Sequence, residues 1–203
     1  MADTILDMSM SIDGFISGPD DEMGQGLGRD GHRLHDWLHD GGVSPGSHRP
    51  VEGANRLVFD EVMNTGAVIT GRRTFDLADK WDGDHHDGVP IFVFTHQVPS
   101  EPPPGSAQYV TDIVDCVTRA REGAGDRDIL VHGAKTGQAL LRAGLLDQME
   151  LHLIPVLLGE GRRLFEGMGP EHIELELVRT LEAPGVVHQR YRVVGSPATT
   201  RSS

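Results

Sequence analysis

The segment VPIFVFT, residues 89–95, is apolar at almost every position. A strand with one wet face alternates apolar and polar residues. An unbroken apolar run needs cover on both faces, which is the situation of a strand inside a parallel sheet. Parallel neighbours need crossover connections, usually helices, and the chain supplies them. AVIT (67–70) and DILVH (128–132) read as further buried strands, and QYVT (108–111) as another. Helical spacing predicts a helix over 51–64, with Ala54, Leu57, Val58 and Val62 on one face and Gly66 as its stop. TFDLADKW (74–81) follows the second strand as a helix. A further helix spans 112–122, with Ile113, Val114, Val117 and Ala120 on one face. QALLRAG (138–144) is the last, ending at Gly144.

The two ends of the chain differ from this middle. Leu6, Met8, Met10 and Ile12 alternate with polar residues, the period of a strand. Beyond residue 147 only strands follow: MELHLIPVLL, HIELELVRT and VVHQRYRVV. The order implies an α/β fold of three layers, αβα, with a mainly parallel sheet and antiparallel strands at its C-terminal end. One domain is expected over 1–195, with 196–203 a disordered tail. The long stretches 17–31 and 41–50 flank a short helix-like piece, HRLHDWLHD, and are read as loops that close as a lid.

Charge narrows the function. Acidic residues outnumber basic ones 31 to 18, giving a formal net charge of -13, and Lys80 and Lys135 are the only lysines. Nucleic-acid binding needs a basic face, and none is visible; no long apolar run suggests a membrane span. The first residues lack the pattern of a secretory signal, and the single cysteine, Cys116, fits a reducing compartment. The expectation is a cytoplasmic protein acting on a small molecule.

Two strand-to-helix junctions have the composition to hold an anion. In open α/β sheets ligands gather at the C-terminal ends of the strands. At the first junction Gly71 admits close backbone approach, Arg72 and Arg73 offer planar donor forks, and Thr74 adds a hydroxyl. The second is Gly133-Ala134-Lys135-Thr136-Gly137. Each alone also reads as a solvated pair or a plain turn; together they suggest a ligand with more than one phosphate, a dinucleotide. Neither junction carries the Gly-x-Gly-x-x-Gly fingerprint or full P-loop spacing.

Several stretches, in order, carry a resemblance. They are Met8-Ser9-Met10-Ser11-Ile12-Asp13-Gly14-Phe15-Ile16, Gly71-Arg72-Arg73-Thr74-Phe75, Val93-Phe94-Thr95-His96, Gly144-Leu145-Leu146-Asp147 and residues 153–161, LIPVLLGEG. With them the chain resembles the dihydrofolate reductase-like superfamily, and within it the RibD C-terminal domain family of riboflavin-pathway pyrimidine reductases, over most of residues 4 to 194. The resemblance implies NADPH as cofactor and hydride transfer to a small flat heterocycle, a pyrimidine, pterin or flavin-related compound. It places Gly71, Arg72, Arg73 and Thr74 at the pyrophosphate and 2′-phosphate side, and Thr95 and His96 by the adenosine 2′-phosphate. Gly133, Ala134, Lys135 and Thr136 form the second cradle, while Ser9, Ser11 and Ile16 flank the nicotinamide. It also suggests a homodimer through the C-terminal strands.

For substrate, Asp13 either binds it and donates a proton, or merely makes the Asp13-Gly14 turn. Trp37 either stacks on a flat heterocycle or anchors its segment. Arg162-Arg163 either meets a substrate phosphate or lies on the surface. Two other classes stay open. His32, His35 and His39 share a helical face beside Asp36 and Asp40, with His85-His86 elsewhere, which is the composition of a metal-binding protein or metallohydrolase. A nucleotide-binding family member without turnover is the other.

Overall fold

The computed structural model describes residues 2–39, 50, 52–101, 105, 107–169 and 172–195. The stretch 41–49 and the tail 196–203 lie outside them. Strand β1 (Thr4–Ser11) is followed by short β2 (Phe15–Ser17) and a 3-10 helix, Gly31–Leu38. Helix α1 (Gly53–Met63), β3 (Ala67–Gly71), α2 (Arg72–Leu77) and β4 (Ile91–Phe94) come next. They lead to β5 (Ala107–Val110), α3 (Ile113–Ala124), β6 (Ile129–His132), α4 (Ala134–Ala143) and β7 (Gln148–Ile154). The chain closes with β8 (Arg162–Arg163), β9 (Glu174–Ala183) and β10 (Val186–Gly195).

Eight strands form one sheet in the order β5-β4-β3-β6-β1-β7-β10-β9, and β2 pairs with β8 apart from it. The first six run parallel and the last two antiparallel. The expected three-layer αβα architecture is what the chain adopts, and β7 joins the parallel part because the α4 crossover precedes it. On one face Leu6, Met8 and Met10 of β1 pack with Ala120 and Ala124 of α3 and Leu140 and Leu141 of α4. The odd residues of β1 therefore look the other way, toward α1 and the 3-10 helix, where Leu34, Trp37, Val58, Ile154 and Val186 cluster.

Three local readings are corrected. The face of α1 is rotated: Asn55 and Val58 are buried, and Leu57 is 49% exposed. Ala134 to Gly137 do not precede α4 but form its first turn. Gly133, at φ 95°, turns strand into helix without a connecting residue. The 17–31 stretch is a folded loop and not an open chain. Gly18 N–H donates to Leu27 O at 2.9 Å and Arg29 N–H to Pro19 O at 2.8 Å. Gly18 sits so close to Arg29 that a Cβ would lie 1.8 Å from its carbonyl oxygen.

Candidate functional site

The C-terminal ends of β4, β3, β6 and β1 open onto one cavity of about 740 Å³ on the α1 side of the sheet. Four adjacent strands span roughly 14 Å. Of the residues singled out from sequence, Ser9, Ile16, Trp37, Gly71, Arg72, Arg73, Thr74, Thr95, His96, Gly133, Ala134, Lys135 and Thr136 all line this cavity. Ser11 and Asp13 do not.

The two glycine junctions interlock. A Cβ on Gly71 would come within 2.7 Å of Thr136 Oγ1, and one on Gly133 within 2.5 Å of Thr74 Oγ1. Each glycine thus admits the threonine of the other junction. Thr136 Oγ1 is buried with no hydrogen-bond partner, and Gly133 N–H reaches only the Met8 thioether, at 3.3 Å. An unsatisfied hydroxyl and a weakly held amide beside two Cβ-free positions make a cradle with donors to spare, which suits phosphate oxygens.

The paired arginines diverge. Arg72 Nε donates to Asp76 at 2.6 Å, and its guanidinium lies 5.4 Å from the Tyr109 ring centre. Arg73 instead reaches across the cavity mouth to the Asp21 carboxylate at 2.9 Å, which also accepts from Arg162 at 2.9 and 3.1 Å. Burial opposes ionisation of Asp21, but the hydrogen bonds of Arg162 and Arg73 outweigh it and hold its pKa below the ordinary carboxylate value. The loop is fastened across the mouth by a carboxylate between two guanidinium groups.

Asp13 proves to be a turn residue. Its carboxylate accepts from Ser11 Oγ at 2.6 Å, Leu158 N–H at 3.1 Å and Gly159 N–H at 2.8 Å. The Ser11 bond, with those amides, brings its pKa down to about 2. A carboxylate so committed, outside the cavity, is poorly placed to give a proton to a ligand there. Ser11 Oγ also accepts from Phe15 N–H at 2.9 Å, so it shapes the same turn. Arg163 donates to Asp13 O at 2.6 Å and stacks over Phe15.

Trp37 is 7% exposed, donates Nε1–H to Ser9 Oγ at 2.9 Å, and lies over the rings of His152 and His188. It lines the cavity while serving as an anchor. His32 and His35 line the cavity too, and His35 Nδ1 is buried without a partner. Burial, then the neighbouring imidazoles, pushes the His35 pKa down to about 4. Among the described residues no group of three or more His, Cys, Asp or Glu is placed to hold a metal ion. Cys116 is buried, and burial pushes its thiol up to about 12, so it is no nucleophile.

Sequence reading did not assemble the polar floor of the cavity, and named His85 only toward a metal site. Asp7, His132, His85 and Trp81 all line it. His132 Nδ1 lies 3.1 Å from Asp7 O and its Nε2 3.2 Å from His85 Nε2. Trp81 packs on both rings, with centroids 4.7 Å from His85 and 5.9 Å from His132. Desolvation lowers the pKa of His132 and brings that of His85 to about 2. Asp7 looked like an ordinary polar residue of an alternating strand.

Comparison with known proteins agrees with this fold. The model of the RibD C-terminal domain matches residues 3–188. Among curated proteins, the uncharacterized protein YyaP of Bacillus subtilis (strain 168) is 24% identical over 193 residues, covering 87% of this chain and 86% of the relative. Among solved structures, a putative riboflavin biosynthesis protein from Shewanella sp. PV-4 superposes with a TM-score of 0.69 at 22% identity, covering 95% of this chain and 99% of that one. A pyrimidine reductase-like protein from Corynebacterium diphtheriae gives 0.61 at 12% identity, covering 95% and 92%. RibD of Acinetobacter baumannii gives 0.58 at 17% identity, covering 95% of this chain and 58% of that one. At these identities the structures speak for the fold.

Proposed function

Because the chain belongs to the RibD C-terminal domain family, we propose that it is an NADPH-dependent reductase that places a hydride on a small flat heterocycle of the pyrimidine, pterin or flavin-related kind. The observation that carries this reading is the interlocked pair Gly71–Thr136 and Gly133–Thr74 at the ends of two adjacent strands, opening on a single long cavity.

NADPH supplies the hydride; the protein supplies binding, orientation and a proton path. Gly71, Arg72, Arg73 and Thr74 would hold the pyrophosphate and 2′-phosphate side, with Thr95 and His96 nearest the adenosine 2′-phosphate. Arginine suits that phosphate, which needs a cation where NAD would meet a carboxylate. Gly133, Ala134, Lys135 and Thr136 would form the second cradle. Ser9 and Ile16 would border the nicotinamide, and Ser11 would act only through the turn it holds. The remaining space, toward Trp37, His35 and α1, is walled by Phe59, Val62 and Met63, apolar side chains suited to a flat ring. A homodimer belongs to the same reading: β9 is an edge strand that exposes Leu175, Leu177 and Val178, and sedimentation at micromolar concentration tests it.

The test of the activity is oxidation of NADPH, followed by its absorbance, with a panel of ribosylaminouracil, dihydropterin and dihydrofolate compounds. Turnover with at least one is expected, with KM for NADPH raised in an Arg72→Ala, Arg73→Ala double variant. NADPH binding with no turnover on any heterocycle would contradict the enzymatic part and leave a nucleotide-binding protein.

A further inference from the structure

Beneath Trp37 lies a buried polar row that the cofactor cradle does not use. Asp7 Oδ2 is 3.2 Å from His152 Nε2, His152 Nδ1 is 2.8 Å from His188 Nδ1, and His188 Nε2 is 2.9 Å from Asn55 Oδ1. Sheet register builds it, since His152 of β7 stands opposite His188 of β10, and Ser9 of β1 opposite His152. His152 and His188 are 1% and 0% exposed, and the indole covers both rings.

The protons in this row can be counted. Asn55 Nδ2 donates to Trp37 O at 3.1 Å, so its Oδ1 is the acceptor that faces His188. The Asp7 carboxylate oxygen is likewise an acceptor. Both outer imidazole nitrogens, His152 Nε2 and His188 Nε2, therefore carry hydrogens. The two Nδ1 atoms, 2.8 Å apart, form a hydrogen bond only if one of them carries a hydrogen as well. Two neutral imidazoles bring one N–H each, but three junctions need three. Two lone pairs pressed together in a dry interior would leave both acceptors unsatisfied.

The surrounding charges agree. On the same face, Glu150 and Glu61 are matched by Arg179 and Arg190, so those four groups balance. His132 of β6 meets the backbone oxygen of Asp7, and His35 sits on the 3-10 helix above. The counter-charge closest to the Asp7 carboxylate is then an imidazole. Burial alone would keep Asp7 protonated, yet the His152 contact, then His132 and Arg190, hold it ionised below the usual value.

We propose that Asp7, His152 and His188 form a buried proton-holding site, with one proton shared between the two imidazoles and balanced by the Asp7 carboxylate, that opens on the cavity through Asp7 and supplies the proton of the reduction. This rests on the reductase reading above. When hydride adds to the carbon of a substrate C=N or C=O group, the π electron pair stays on the heteroatom, which needs a proton. The Asp7 carboxylate takes the Nε2 proton of His152 and passes it to that heteroatom. His152 becomes neutral, its Nδ1–H still donated to His188, and one proton from solvent restores the site. Asp7 O lies 3.1 Å from Nδ1 of His132, the residue before Gly133, so the proton source stands beside the second cradle.

The test is a proton–nitrogen correlation spectrum of the full chain labelled with 15N-histidine, at neutral pH and without ligand. One cationic ring in the His152–His188 pair and a strongly deshielded shared proton are expected, both lost in Asp7→Asn. Two neutral rings in the unmodified protein would overturn the proposal whatever the variant does, as would an unchanged spectrum in a folded Asp7→Asn protein. Asp7→Asn is also expected to lower kcat by about 100-fold at unchanged KM for NADPH. A cationic pair in a protein that fails to bind NADPH would count against the reductase reading alone.

Discussion

Single atoms decide the most at Gly133. Its φ of 95° disfavours any side chain, and a Cβ would collide with Thr74 Oγ1. Gly133→Ala is expected to cost about 1–3 kcal/mol in stability and to weaken NADPH at least tenfold, read by urea denaturation and a binding titration; an unaffected variant would mean that the cradle is not built as described. The histidines set a pH dependence. Burial brings His35 and His85 down to about 4 and 2 from an ordinary 6.5. Above 6.5 neither the folded nor the unfolded chain protonates them. As pH falls below that, the unfolded chain binds protons the folded chain refuses, so stability drops, by up to about 1.4 kcal/mol per pH unit for each ring. Urea midpoints at about pH 7 and about pH 5 should show this loss; a flat profile would contradict it. The arginines and glycines of the cradle were legible in the sequence because phosphate demands those residue types at a strand end. Asp7 and His152 were not, because a polar residue in an alternating strand signals the wet face. Here that face carries a buried polar row roofed by Trp37.

At the scale of elements, the same polarity explains α1. Its inner face presents Asn55 and Glu61 to the sheet beside Val58, so apolar spacing alone gave a face rotated toward Leu57. Glu61 and fully buried Glu150 share Arg179 and Arg190. Arg179 reaches Glu61 at 2.6 and 2.5 Å and Glu150 at 3.1 Å, while Arg190 donates to both carboxylates. These bonds tie α1 to β7, β9 and β10. Removing one cation leaves two carboxylates, one of them fully buried, on the single guanidinium of Arg190, so Arg179→Ala is expected to cost about 3–5 kcal/mol in chemical denaturation. A loss under about 1 kcal/mol would show the network to be solvent-screened. The 17–31 loop escaped sequence reading for another reason: its order comes from glycines that let backbone meet backbone and from Asp21 bridging Arg73 and Arg162, contacts between residues far apart in the chain.

For the whole molecule, the parallel sheet was readable from three apolar runs and the helices between them, because burial on both faces leaves a mark at every position. The strand order, which sets His132 beside Asp7 and interlocks the two glycine junctions, comes from pairing between distant segments and left no local sign. That order is what gathers four strand ends onto one cavity in a chain of net charge -13. An anionic dinucleotide can bind against that overall field only if the local donors outweigh it. The most direct measurement is a fluorescence titration of the purified protein with NADPH and with NADH, beside the Arg72→Ala, Arg73→Ala double variant. Micromolar NADPH binding, at least tenfold weaker for NADH and lost in the variant, is the expected result. A folded protein that binds neither, or binds both alike with and without the arginines, would contradict the account.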